Sequence, residues 1–268
     1  MKIGAIIQAR FASSRLPGKV LMHLPLLNGK PILKYITDGV KKSNIVSYVG
    51  IATSNQIENN EIETFALKEQ VDCYRGSEDD VLNRFITIAQ KENLDSIIRL
   101  TGDNPLIDVQ KLDEAIDYHI NSENEYTKTK GLPLGMNFEI INATTLLNLK
   151  SENLSSADKE HVTKFINDNE KFKKSVYTFN TNNIADLRCT IDYPSDYAMM
   201  TILLPLITAR ENVCDQIEQI QKKYPWVFVI NSDNHQIKYY NTLEEELKIV
   251  LPLLKRMEML NTISYLKS

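Results

Sequence analysis

Three cations fall within ten residues of the segment Gln8-Ala9-Arg10-Phe11-Ala12-Ser13-Ser14-Arg15-Leu16-Pro17-Gly18-Lys19. Guanidinium groups engage phosphate in a bidentate way, and a lysine adds a point charge. The small residues Ala12, Ser13 and Ser14 let backbone N–H groups approach an oxyanion closely. A triphosphate carries enough charge to use all three cations. The loop is not of Walker A type, because Ser13 stands where the first Gly belongs and Val20 where Ser or Thr belongs. Nor is there a GxGxxG dinucleotide fingerprint. Two lone acids sit in comparable settings. Asp103 lies in Thr101-Gly102-Asp103-Asn104-Pro105, and Asp192 in Thr190-Ile191-Asp192-Tyr193-Pro194-Ser195. An Asp at a strand end can hold Mg²⁺, which takes oxygen ligands and keeps waters and substrate phosphates. Each segment taken alone also reads as a turn or a cap. Together, Asp103 and Asp192 can meet over one metal.

Other polar clusters carry less. Glu78-Asp79-Asp80 follows Gly76-Ser77 and opens a helix, where acidic side chains favour the positive end of the dipole. Asp79 and Asp80 therefore read as structural. Among the histidines, His23, His119 and His235 have no partner pattern, and His161 is the one placed near a site. No Ser/His/Asp, Cys/His or zinc-ligand arrangement is visible.

These residues need a scaffold, and the chain supplies one. It has 268 residues, 43% hydrophobic and 25% charged, which is enough for a sizeable core. Net charge is −4, which gives no support to nucleic-acid binding. The first 37 residues nevertheless hold no Asp or Glu while carrying Lys2, Arg10, Arg15, Lys19, Lys30 and Lys34. A basic region in an acidic chain suits a small anionic ligand. Cys73, Cys189 and Cys214 form no close pair and read as small core residues of a reduced protein. The apolar run 3–7 is too short for a signal peptide, and no stretch approaches the roughly 20 apolar residues of a membrane span. The expected location is the cytoplasm, with no membrane partner.

Apolar runs predict strands over 3–7, 46–53, 71–74 and 95–100. Helices are predicted after Pro31, after Asn59 or Asn60 as a cap, from Val81, and after Asp108 as a cap. This alternation is the pattern of βαβ units and a mainly parallel sheet. Residues 121–136 read as a loop or flap. Beyond it come a strand near 137–141, helices near 144–150 and 157–167, and strands over 175–179 and 187–191. Ser195 is a candidate cap for a helix that Pro205 ends. A helix near 212–223, a short strand over 226–230 and a long helix over 243–260 form a tail, whose expected job is packing or subunit contact. The expected division is 1–208 as the catalytic unit and 209–268 as a mostly helical extension.

Taken together, these segments resemble the 3-deoxy-manno-octulosonate (KDO) and acylneuraminate cytidylyltransferases, and most of all the spore-coat-polysaccharide type. The match rests on the loop from Gln8 to Lys19, on Gly76-Ser77-Glu78-Asp79-Asp80-Val81-Leu82, on Thr101-Gly102-Asp103-Asn104-Pro105-Leu106-Ile107-Asp108, on Glu160-His161-Val162-Thr163, and on Ile191-Asp192-Tyr193-Pro194-Ser195-Asp196. It covers roughly residues 1–200. The resemblance implies an α/β, GT-A-like, Rossmann-related fold with a small dimerisation and acceptor subregion. It also implies CTP, Mg²⁺, a CMP-linked product of cell-surface glycan synthesis, and a homodimer. By the same resemblance Arg10, Arg15 and Lys19 hold the triphosphate, with Arg10, Lys19 and Asp103 catalytic. Gln8, Ala9 and Ser77 face the nucleoside, with Thr101 nearby. Asp103 and Asp192 hold the metal, and Asn137, Glu139 and His161 face the acceptor. Two positions depart from the pattern. Pro194 stands where sialic-acid enzymes carry a second Asp, and Thr101 where the family often has Gln. A nucleotidyltransferase acting on a phosphorylated polyol, a glycosyltransferase consuming a nucleotide sugar, and a non-catalytic nucleotide-binding protein remain as alternatives.

Overall fold

The computed structural model describes residues 1–181, 183–234 and 242–267. His235 lies outside the described residues. Seven strands form the central sheet: β1 (Ile3–Gln8), β4 (Tyr48–Ser54), β5 (Asp72–Gly76), β6 (Ser96–Thr101), β7 (Tyr126–Lys130), β8 (Glu139–Asn142) and β9 (Lys174–Thr178). A separate two-stranded ribbon pairs β2 (His23–Leu24) with β3 (Lys30–Pro31). The sheet order is β5-β4-β1-β6-β8-β7-β9. β1 lies between β4 and β6 and runs parallel to both, with Ile6 opposite Gly50 on one side and Arg99 on the other. β8 runs antiparallel to β6 and β7, and β7 runs parallel to β9.

The central strands are near-continuous apolar runs because helices cover both faces. Ile3, Ala5 and Ile7 point to one face. There they pack with α1 (Ile32–Val40), α2 (Asn60–Lys68), α4 (Val109–Asn121), α8 (Pro194–Leu203) and α9 (Val213–Lys223). Ile6, Ala52, Ile97 and Ile141 point to the other face, under α3 (Val81–Lys91), α5 (Ala143–Asn148) and α7 (Lys164–Asp168). Short α6 (Ser156–Glu160) also lies against α3. The chain ends in α10 (Leu243–Arg256) and α11 (Leu260–Lys267). Among the described residues no helix is long and apolar enough to cross a membrane.

Asp108 caps α4 as expected, accepting from the Lys111 backbone N–H, and Asp80, read from sequence only as an acid at the helix start, caps α3 by accepting from the Asn83 N–H. Several expectations fail, each for a local reason. Residues 121–136 are not one loop. α4 runs to Asn121 and β7 follows, its Tyr-Thr-Lys-Thr-Lys alternation too polar to read as a strand. The 187–191 segment is extended but makes only a single bridge, Leu134 with Arg188. The 226–230 segment is a 3-10 turn, Pro225–Val229, rather than a strand. The helix expected over 157–167 is broken by Val162, which sits in the left-handed region at φ 53°. The last helix is likewise interrupted, with Glu258 at φ 57° between α10 and α11. Ser195 does not cap α8. Tyr193 is the N-cap residue and Pro194 opens the helix. The Asn59 side chain does not cap α2 either. It donates to Ser54 Oγ and accepts from the Phe11 backbone N–H, tying the cationic loop to the β4 end.

Candidate active site

The carboxyl ends of β1, β4 and β6 open into a cavity of about 740 Å³. Ligands in open α/β sheets bind at this end. The loop after β1 forms one wall. Its hinge is Gly18, at φ 70°, whose backbone N–H donates to the Phe11 carbonyl at 2.9 Å. The dihedral favours glycine there, and a Cβ would also press on the Phe11 ring at 3.1 Å. That turn delivers Lys19 inward, where it is only 8% exposed. Lys19 Nζ donates to the Ile191 carbonyl at 2.7 Å, to Asp103 Oδ2 at 2.9 Å and to Asp192 Oδ1 at 2.9 Å. The two acids predicted as metal ligands thus converge on one ammonium.

Each acid is held in turn. The Ile191 backbone N–H donates to the Asp103 carbonyl at 3.0 Å, which joins the two segments. Thr101 Oγ1 donates to Asp103 Oδ1 at 2.5 Å, while Asn104 Nδ2 donates to that hydroxyl at 2.8 Å. Asp192 pairs with Arg15 at 3.2 Å and with Arg188 at 3.0 Å. Burial pushes the Asp192 carboxyl up, but the Lys19 hydrogen bond and the charges of Lys19, Arg15 and Arg188 together hold it below the usual carboxylate range. Arg188 is fixed by the fully buried Asp196, which accepts from its Nε at 2.8 Å and its Nη2 at 2.9 Å. Asn231 and Asn234 also donate to Asp196, at 3.0 and 2.8 Å. On the outer side, Arg15 stacks on the Tyr193 ring at 4.7 Å and donates to its hydroxyl at 3.1 Å.

The floor of the cavity is Gln8 and Arg99, neighbours on β1 and β6. Arg99 Nη2 donates to Gln8 Oε1 at 3.3 Å, and Nη1 to Glu139 Oε2 at 2.5 Å. Glu139 also accepts from the Tyr126 hydroxyl at 2.5 Å and from Thr163 Oγ1 at 2.9 Å. Burial raises the Glu139 carboxyl, and the Arg99 charge and these donors outweigh it, so the group stays ionised. The opposite wall comes from α3 and α6, with Arg84, Ser156, Glu160 and His161.

Of the residues predicted from sequence, Gln8, Ala9, Arg10, Arg15, Lys19, Thr101, Asp103, His161 and Asp192 line this one cavity. Ser77, Asn137 and Glu139 do not. Ser77 is exposed beyond the β5 end. Asn137 turns its amide back onto the Leu132 carbonyl at 2.9 Å, bracing the 131–136 turn. Glu139 reaches the cavity only through Arg99. Four residues escaped the sequence reading: Arg84, Arg99, Arg188 and Asp196. A usable signal existed only for Arg99, a charge set inside the apolar strand Ser-Ile-Ile-Arg-Leu-Thr, which has to be paired.

Fold and site are those of an α/β protein with a cationic cavity at the carboxyl ends of its central strands. The cytidylyltransferase family profile matches residues 4–246, and the chain belongs to that family of CMP-transferring enzymes. The spore coat polysaccharide biosynthesis protein SpsF of Bacillus subtilis is 32% identical over 78% of this chain and 88% of its own. An uncharacterised protein of Methanocaldococcus jannaschii is 32% identical over 91% of this chain and all of its own. A cytidylyltransferase structure from Leptospira borgpetersenii superposes with a TM-score of 0.77 at 31% identity, covering 90% of this chain and 100% of that one.

Proposed function

We propose that the enzyme transfers CMP from CTP to an acidic sugar of the KDO or nonulosonate class for cell-surface glycan synthesis. The observation that carries this reading is the convergence of Arg15, Lys19, Asp103 and Asp192 at the strand ends, with Arg10 on the same cavity wall. Names of relatives support the sugar class. Besides SpsF, a 3-deoxy-manno-octulosonate cytidylyltransferase of Geobacter metallireducens is 34% identical over 43% of this chain.

In this reading an acceptor hydroxyl oxygen attacks the α-phosphorus in line. The bond from the α-phosphorus to the bridging oxygen breaks, pyrophosphate departs, and the hydroxyl proton is released to solvent. Arg10, Arg15 and Lys19 hold the phosphates and neutralise charge as it moves toward the leaving group. Gln8, Ala9 and Thr101 flank the nucleoside end, and His161 stands at the acceptor wall. Asp103 and Asp192 are the residues that would hold Mg²⁺. The donor types suit it: the Asp103 and Asp192 carboxylates converge, and in this structure both accept from Lys19 Nζ. Such a site leaves coordination for waters and phosphates, as Mg²⁺ prefers. Held there, the ion would add positive charge against the phosphates and so help to neutralise the departing pyrophosphate. We extend the same reading to a homodimer, which a solution mass by light scattering tests.

The deciding experiment measures pyrophosphate release with Mg²⁺, each of four NTPs, and a panel of KDO, nonulosonic acids and phosphorylated polyols. Release with CTP and an acidic sugar is the expected result. Release only with a phosphorylated polyol overturns the sugar-acid class, and release with another NTP overturns the nucleotide.

A further inference from the structure

Most cations of the cavity are compensated. Lys19 and Arg15 face Asp103 and Asp192, and Arg99 faces Glu139. Arg84 is different. It lies in the first turn of α3, is 6% exposed, and lines the cavity. Its Nε, like that of Arg99, is buried with no hydrogen-bond partner, but unlike Arg99 it has no carboxylate on its other nitrogens, and its Nη2 reaches the Glu78 carbonyl only at 3.5 Å. It makes no ion pair among the described residues. Its aliphatic stem crosses Gly76, where a Cβ would come within 2.7 Å of Arg84 Cγ, so the end of β5 is cut away to admit it. Arg10, on the facing loop, also makes no ion pair among the described residues. A guanidinium this buried costs several kcal/mol unless something compensates it. An N–H edge without a partner is the edge that takes an oxyanion in a fork.

We propose that Arg84 is a ligand-binding residue, which forms with Arg10 a second anion subsite at the α3 wall, separate from the Lys19–Asp103–Asp192 cluster. The group it takes is an oxyanion able to accept two N–H bonds. Two sources on the substrates offer one, the nucleotide phosphates and the carboxylate of the acid acceptor. This inference rests on the cytidylyltransferase reading.

The test uses the full chain and the variants Arg84→Met, which keeps the stem and removes the charge, and Arg84→Lys, which keeps the charge and removes the fork. Titration calorimetry with Mg²⁺ measures CTP, CMP and inorganic tripolyphosphate, and steady-state pyrophosphate release gives KM for 3-deoxy-manno-octulosonate. Arg84→Met is expected to weaken one ligand by about 10- to 100-fold, the usual weight of a hydrogen bond to a charged group. Arg84→Lys is expected to fall between it and wild type. Loss confined to CTP and tripolyphosphate assigns the subsite to phosphate. Loss confined to the acid's KM assigns it to the carboxylate. If both variants keep wild-type values for all four ligands, Arg84 is a packing residue and the proposal is overturned. Should Arg84→Met not fold, the lysine variant decides alone, since an unchanged profile there already rules out a bidentate contact. Wild-type protein that binds no CTP overturns the cytidylyltransferase reading itself, an outcome distinct from wild-type binding that Arg84→Met leaves unchanged.

Discussion

Lys19 has three N–H donors, and all three are taken by Ile191, Asp103 and Asp192. To reach a phosphate, the ammonium must exchange one of these acceptors for the ligand. That exchange costs little, because one oxyanion replaces another. Lys19→Ala removes the counter-charge from between two acids, so the Asp192 carboxyl should rise toward its ordinary value. Lys19→Ala and Asp103→Asn are each expected to lower turnover about 10²–10³-fold, the usual weight of one charge-stabilising contact. Steady-state pyrophosphate release checks the rate, and a far-ultraviolet melt checks that the fold survives. Near-normal turnover in a folded variant would remove that residue from the site. The cationic loop and the two acids were legible in the sequence because charged types are conspicuous after buried strands. Arg84, Arg99 and Arg188 were not. Arg99 stood out only as a charge inside an apolar strand, with nothing to name Glu139 as its partner, whereas Arg188 looks solvated until Asp196 is in place and Arg84 reads as one more polar helix residue.

Strands β1, β4, β5 and β6 were readable as apolar runs, the start of α3 from the acids before Val81, and Asp108 as the cap of α4. β7 was not, since its inward residues Tyr126, Thr127 and Thr129 are buried through hydrogen bonds as much as through apolar contact. The same region holds a buried imidazole that ties three elements together. His119, on α4, meets Thr127 Oγ1 of β7 at 2.9 Å through Nδ1, and Asn142 Oδ1 of β8 at 3.0 Å through Nε2. Asn142 Nδ2 is donated to the Asn124 carbonyl, so its Oδ1 is the acceptor and His119 Nε2 carries the proton. Burial lowers the His119 pKa below its ordinary 6.5, outweighing the Asn142 bond that raises it. The unfolded chain therefore binds this proton more readily than the folded one. Stability from this group is present above about pH 6.5 and is lost as pH falls through the unfolded value toward the folded one. Wild type should lose denaturant stability between pH 7 and pH 5, and His119→Gln should flatten that part of the profile. An unchanged slope in the variant would assign the loss to other groups.

At the scale of the molecule, the C-terminal third is joined to the sheet in two ways. Val213, Cys214, Ile217, Val227 and Phe228 fill the same apolar cluster as Ile3, Ala5 and Ile7. The Asp108 carboxylate, besides capping α4, accepts from the Cys214 backbone N–H at 2.8 Å, and the Val109 N–H donates to the Arg210 carbonyl at 3.0 Å. Fully burying such side chains contributes about 1.5–3 kcal/mol each. Five of them approach the whole net stability of a domain, on the order of 5–15 kcal/mol. α10, in contrast, has no buried residue. A chain ending at residue 208 is therefore expected not to fold, whereas one ending at residue 234 should melt within a few degrees of the full protein. The second truncation also keeps Asn231 and Asn234, which hold Asp196 and, through Arg188, the Asp192 carboxylate. Its pyrophosphate release should stay near that of the full chain. Adding Asn231→Ala to it should lower turnover by several-fold and the melting temperature by a few degrees, because the buried Asp196 carboxylate and the Arg188 carbonyl each lose a donor. A chain of 208 residues that folds and turns over would show that the bonds from Asn231 and Asn234 are dispensable. It would also place the determinants of Asp192 wholly within the first 208 residues.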